Sequence, residues 1–258
     1  MDLVRRHSGV LLGMILALGS PWAGSGVRGQ PAELPSLAEP PGFPAETAKP
    51  RTPSGPAKPL LGVWLTLNDM GTLRDRPKLE AAVRQLAGLG FTTLYPVVWN
   101  GGYAYYPSAV TQQRRIQDFT FRGLQGQDPL AELISLARAR GLQVVPWFEF
   151  GFMAPPTSEL ALRHPQWLTT KRDGSTTSMS AAGEVVWLNP FRPEVQQLLT
   201  ELALEVVSLY EVDGVQFDDH FSLPSAFGYD VYTRALYLKE TGRSVPADPQ
   251  DPAWVRWR

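Results

Sequence analysis

The chain has 258 residues, of which 43% are apolar and 19% charged, and its formal net charge is −1. That composition is globular, so disorder throughout is excluded, and the balanced charge gives no global pull toward nucleic acid or an anionic membrane. The absence of cysteine excludes disulfides, zinc–thiolate sites and thiol nucleophiles, and three histidines (His7, His164 and His220) are too few for a His-rich metal centre.

Residues 1–26 read as an export signal. Arg5, Arg6 and His7 form a short basic region, residues 9–18 an apolar run too short to span a bilayer comfortably, and residues 23–26 a zone of small residues suited to cleavage. An uncleaved N-terminal anchor is the alternative. Both place the rest of the chain outside the cytoplasm, in the periplasm, the cell envelope or the medium, and no membrane span remains after cleavage. Residues 27–59 hold nine prolines. Proline fixes φ and removes a donor, so this stretch is expected to be an extended linker.

From residue 60 onward the pattern changes. Four apolar, β-rich runs occupy residues 62–67, 92–99, 142–148 and 212–217. Helical periodicity fills the intervals at 78–89, 129–140 and 193–210, with Asp128 as an expected N-cap and Gly90 and Gly141 as stops. Strands alternating with helices imply an α/β fold with a parallel sheet covered by helices. A doubly wound sheet and a (β/α)₈ barrel both fit. No Gly-rich phosphate loop follows a strand, which weakens the dinucleotide version. The strand ends favour the barrel, because polar and aromatic groups gather there: Asn68-Asp69, Trp99-Asn100, Trp147-Phe148-Glu149 and Asp218-Asp219-His220. Helix-to-strand connections are short, whereas the strand-to-helix loops at 100–128 and 150–192 are long, as expected when one face is functional.

Side chains alternate along a strand. In the fourth run Val215 and Phe217 should pack under the helices, while Gly214, Gln216, Asp218 and His220 should face the barrel axis. Asp218 would then stand at the mouth and Asp219 at the rim, unless they only cap the next loop. Glu149 shares parity with Val145 and Trp147 and lies among Phe148, Phe150 and Phe152. Apolar surroundings raise a carboxyl pKa, as a general acid requires, although pairing with an arginine is the plainer role. Two mouth-facing carboxylates suggest glycoside hydrolysis, with Asp218 as nucleophile or base, Asp219 assisting and Glu149 as acid. Trp64, Trp99, Trp147 and Tyr103, with Tyr105 and Tyr106, offer flat faces to sugar rings, unless they are core. Asn68, Asn100, Asn189, Gln216 and His220 are candidate partners for sugar hydroxyls. Asp218, Asp219 and His220 make a poor metal set, since consecutive residues diverge on a strand; no metal and no cofactor is expected.

The sequence is similar to the family-10 glycosyl-hydrolase-like proteins, exported bacterial barrels, and most of all to their cyanobacterial type. The similarity covers residues 60–258. It rests on Gly62-Val63-Trp64-Leu65-Thr66, on Pro146-Trp147-Phe148-Glu149-Phe150-Gly151-Phe152-Met153-Ala154-Pro155, on His164-Pro165-Gln166-Trp167-Leu168, on Trp187-Leu188-Asn189-Pro190, and on Asp213-Gly214-Val215-Gln216-Phe217-Asp218-Asp219-His220-Phe221. The resemblance implies a (β/α)₈ barrel that hydrolyses a polysaccharide, with peptidoglycan as one substrate class. The aspartate pair is also placed like the catalytic aspartates of amylase-like barrels, an analogy between folds.

After the fourth run, residues 229–240 read as a helix, 246–252 as a Pro/Asp linker, and 254–258 as the start of another amphipathic helix. The chain is therefore expected to hold the N-terminal part of the barrel, about its first four strand–helix units. A non-catalytic glycan-binding module and an inactive fragment are the alternative functions. A half-barrel exposes strand edges and an apolar interior, so poor solubility or self-association is expected.

Overall fold

The computed structural model describes residues 59–117, 126–180, 183–219 and 221–258. The expected export signal at 1–26, residues 27–58 of the expected linker at 27–59, and His220 lie outside the described residues.

Each of the four apolar runs contributes to one sheet. Strands β1 (Gly62–Leu65), β2 (Thr93–Asn100), β5 (Trp147–Phe148) and β9 (Gln216–Phe217) lie side by side in that order, all parallel. The third run is split in two. Strand β4 (Gln143–Val144) pairs with β2, the Val145 N–H still donates to the Leu94 carbonyl at 2.9 Å, and Pro146 then has no N–H to give. Its carbonyl accepts from the Gln216 amide at 2.8 Å, which joins the third run to the fourth.

The helices form where the period indicated, and local chemistry sets their ends. A single turn, α1 (Met70–Leu73), follows β1, and helix α2 (Arg76–Gly88) begins at Asp75, whose side chain accepts from the Lys78 amide, with Pro77 in the first turn, where a missing N–H costs nothing. Helix α4 (Pro129–Arg138) begins in the same way, with Asp128 accepting from the Ala131 amide. Helix α6 (Pro193–Leu209) buries Val195, Leu198, Leu199, Leu202 and Val206. Removing such side chains from water stabilises the fold by about 2 kcal/mol each. Val215 and Phe217 pack against this same core, and Phe217 stacks on Phe148 with ring centroids 5.2 Å apart.

The other face of the sheet is concave. Trp64 on β1 donates its indole N–H to Gln216 Oε1 on β9 at 3.0 Å, although two strands stand between them. In a flat sheet those strands would be about 14 Å apart, so the contact records the curl of the sheet. Four parallel strands curled about an interior, with helices outside, are the first part of a (β/α)₈ barrel.

The long loops carry structure that the period of the sequence did not indicate. Strand β2 turns back at Gly101-Gly102, both with positive φ (59° and 83°), into β3 (Tyr103–Ala104), a two-residue hairpin turn whose conformation favours glycine. Helix α3 (Ala109–Gln113) follows it. Residues 150–192 hold helix α5 (Glu159–Arg163) and a three-stranded antiparallel sheet of β6 (Met153–Ala154), β8 (Gly183–Trp187) and β7 (Thr177–Ser180). Beyond β9 come α7 (Val231–Thr241) and α8 (Pro252–Trp257). Among the described residues no helix is long and apolar enough to cross a membrane.

Candidate active site

The register brings two carboxylates together. Trp147 pairs with Gln216 and Phe148 with Phe217, so Glu149 and Asp218 are each the first residue beyond adjacent parallel strands. Adjacent strands lie about 4.8 Å apart, and alternation turns both residues toward the interior. Each accepts a hydrogen bond from a neutral donor on a neighbouring strand. Asn100 Nδ2, at the end of β2, donates to Glu149 Oε2 at 2.6 Å, and Trp147 Nε1, on β5, donates to Asp218 Oδ2 at 3.0 Å. Both carboxylates are half-buried, whereas Asp219 is exposed at the rim.

The Asn100 contact depends on a bulge. Val97 pairs with Trp147, but the next pairing is Trp99 with Phe148, so β2 spends one extra residue, Val98. Simple alternation would aim Trp99 inward with Val97. The bulge instead places it opposite outward-facing Phe148 and turns Asn100 in. Trp99 is fully buried in the core, its indole donating to the Gly151 carbonyl at 3.4 Å. The expectation that Trp99 is a sugar platform is corrected accordingly: no face of it is open.

Asn189 is corrected too. It is fully buried, and its amide nitrogen donates to Asp230 Oδ2 at 3.0 Å and to Thr233 Oγ1 at 2.8 Å. Its side-chain oxygen accepts from the Phe191 amide at 3.0 Å. It ties the 150–192 segment to α7 and has no atom left for a sugar.

The remaining candidates divide. Trp64 and Gln216 lie on the same concave face as the carboxylates, and Trp64 stacks on Tyr95 with ring centroids 5.2 Å apart. Tyr103 sits opposite Asn100 in the hairpin, but its hydroxyl donates to Glu159 at 2.6 Å. Asn68 is exposed on a helical turn after β1, where its backbone N–H bonds the Thr66 side chain; among the described residues its side chain makes no hydrogen bond to the carboxylates. Burial raises the Tyr105 hydroxyl well above the ordinary tyrosine range, with smaller pushes from Tyr103 and the Glu149 carboxylate, so it stays neutral beside the site.

Two features of the site were not foreseen. Phe150, directly after Glu149, has φ 46°, a left-handed conformation that non-glycine residues adopt at a cost of order 1–3 kcal/mol. Gly151 lies under the ring of Phe221, which holds the turn after β5 against the one after β9. The Gly101-Gly102 pair is a readable hairpin signal that would have placed Asn100 at the end of its strand, beside the turn.

Comparison with known proteins agrees with this fold. The chain is 30% identical over 203 aligned residues to glycosyl hydrolase DigH of Escherichia coli strain K12, an alignment covering 69% of this chain and 45% of that protein. It is 27% identical over 146 residues to glycosyl hydrolase YngK of Bacillus subtilis strain 168, covering 52% of this chain and 26% of that one. The chain thus spans about half or less of the length of the curated relatives it matches. Among solved structures, alpha-L-fucosidase isoenzyme 2 from Paenibacillus thiaminolyticus superposes with a TM-score of 0.53 at 21% identity, over 76% of this chain and 27% of that one, a likeness of fold. The model of the glycosyl hydrolase-like 10 family matches residues 59–258, and the chain belongs to that family.

Proposed function

We propose that the protein is an exported glycoside hydrolase that cleaves O-glycosidic bonds of a polysaccharide, with the glycan strands of peptidoglycan as the substrate class to test first. The reading is carried by Glu149 and Asp218, set at the same level just beyond adjacent strands and each accepting a hydrogen bond from a neutral donor. Glycoside hydrolysis needs two carboxyl groups flanking one bond. Glu149 gives its proton to the departing glycosidic oxygen. Asp218 attacks the anomeric carbon or takes a proton from water that does so, and Asp219 stands beside it at the rim. If Asp218 attacks, water deprotonated by Glu149 then breaks its ester bond to the anomeric carbon; if Asp218 is the base, the proton it takes from water passes back to Glu149. Either way the water hydroxyl ends on the anomeric carbon, and acid and base are both restored.

The test is the release of reducing ends from peptidoglycan glycan and from neutral polysaccharides, by this chain and by a full-length member of the family. Asp218→Asn should lower the rate by about two orders of magnitude or more. Undiminished activity in that variant removes Asp218 from the mechanism. A second reading, a non-catalytic glycan-binding module, is favoured by Trp64, whose half-exposed ring is backed by Tyr95. Tight binding without reducing ends, by both proteins, would select it.

A further inference from the structure

Two tryptophans meet β9 on the concave face, and they meet it differently. Gln216 and Asp218, two residues apart on one edge, each accept an indole N–H, from Trp64 on β1 and from Trp147 on β5. Trp64 keeps 49% of its surface exposed, so its ring face remains open to a ligand. Trp147 keeps 8%, so no ring face is left for a sugar, and its remaining polar function is the N–H on Asp218. We infer that Trp147 is a positioning residue: its indole fixes Oδ2 of Asp218 and so sets the direction in which Oδ1 is presented. The inference rests on the hydrolase reading for its consequence, but not for the contact itself.

Three features make Trp147 suited to the task. It shares β5 with Phe148, and Glu149 directly follows that strand, so one short stretch of chain carries both the candidate acid and the group that orients its partner. Its ring is held by the core, so the donor does not swing. A neutral donor also orients the carboxylate without adding charge to the site. Misplacing a reacting group by about 1 Å can cost around a hundredfold in rate.

The experiment compares Trp147→Phe and Trp147→His with the wild type in the full chain. Positioning predicts that Trp147→Phe lowers kcat about ten- to a hundredfold with little change in KM, and that the histidine, which again offers a ring N–H, recovers part of the loss. A raised KM with unchanged kcat would instead make Trp147 a sugar platform and overturn the proposal. A second measurement needs no turnover. In a nitrogen-15 spectrum of the indole groups, the resonance lost in Trp147→Phe should shift in Asp218→Asn, with the other indoles in place as proof of folding. If that resonance does not move, Trp147 does not hold Asp218. If the wild type cleaves no glycan, the hydrolase reading fails alone, and the spectrum still decides whether the indole holds the carboxylate.

Discussion

The ring of Phe221 lies so close to the backbone of Gly151 that a methyl group on that glycine would fall 2.2 Å from Phe221 Cζ. Phe221 follows the Asp218-Asp219-His220 segment, and Gly151 follows Glu149 and Phe150. The contact therefore fastens the turn that carries one candidate carboxylate to the turn that carries the other. Phe221 also meets Phe217 edge to face at 4.7 Å and Phe152 at 5.4 Å, so moving the ring disturbs both contacts. Gly151→Ala must push it aside, at a cost of about 1–3 kcal/mol. Chemical denaturation should show that loss. If the two turns set the spacing of the carboxylates, the same variant should lose activity under conditions where it remains folded. A Gly151→Ala protein as stable as the wild type would show that the ring moves freely.

A second prediction concerns Asp230, the N-cap of α7. Its Oδ2 accepts from Thr169 Oγ1 at 2.8 Å, Asn189 Nδ2 at 3.0 Å and Thr233 Oγ1 at 2.8 Å, and its Oδ1 accepts from the Thr233 amide at 3.0 Å. The cluster is buried. Asp230→Ala strands the Thr169 hydroxyl and one hydrogen of the Asn189 amide in the interior, which should destabilise the protein by about 3 kcal/mol or more. Asp230→Asn keeps an acceptor for the cap but turns a donor toward at least one donor, so it should lie between the two. A thermal melt of the three proteins checks the order, and an alanine variant within 0.5 kcal/mol of the wild type, about the size of an ordinary surface change, would contradict it.

These two cases show what the sequence made legible. The helices could be read because their signals are local: Asp128 caps α4, and the 3.6-residue period of 193–210 marks α6. The four parallel strands were legible as apolar runs, and the barrel was favoured over a doubly wound sheet by the polar and aromatic residues at their ends. Glu149 and Asp218 became candidates because each is the first polar group after an apolar strand. What escaped was set by contacts distant in sequence. The bulge at Val98 is a matter of pairing with β5, and it exchanges the roles of Trp99 and Asn100. Asn189 looked like a site residue because its partners, Asp230 and Thr233, lie about forty residues on. The small sheet in 150–192 escaped because Thr177–Ser180 is polar and Met153–Ala154 is only two residues long.

The last prediction is of alkaline sensitivity. Burial raises the Tyr105 and Tyr106 hydroxyls well above their usual value of 10.0; for Tyr106 the adjacent Glu205 carboxylate adds to this. The groups facing them are Tyr103 and Glu149 for Tyr105, and Glu205, Ser108 and Tyr210 for Tyr106. The folded state therefore holds both protons more tightly than the unfolded chain. Below pH 10 both states are protonated and the stabilisation is complete. Above it, the unfolded chain releases two protons that the folded protein keeps, so stability should fall by about 2.7 kcal/mol per pH unit from this pair. Tyr106→Phe removes one proton from the balance and should reduce the slope by about 1.4 kcal/mol per pH unit. The same variant removes the hydroxyl that donates to Glu205 at 2.9 Å. Glu205 is buried and also accepts from the Ser108 hydroxyl at 2.6 Å and the Ala109 and Val110 amides at 2.7 and 3.1 Å, which joins α6 to the start of α3. Tyr106→Phe should thus be less stable at pH 7, by about 1 kcal/mol, yet less sensitive to alkali. Denaturant unfolding between pH 9 and about pH 11.5 separates the two effects, because a purely structural defect lowers stability equally at every pH. Parallel curves for wild type and variant would show that the Tyr106 proton is not held by the fold.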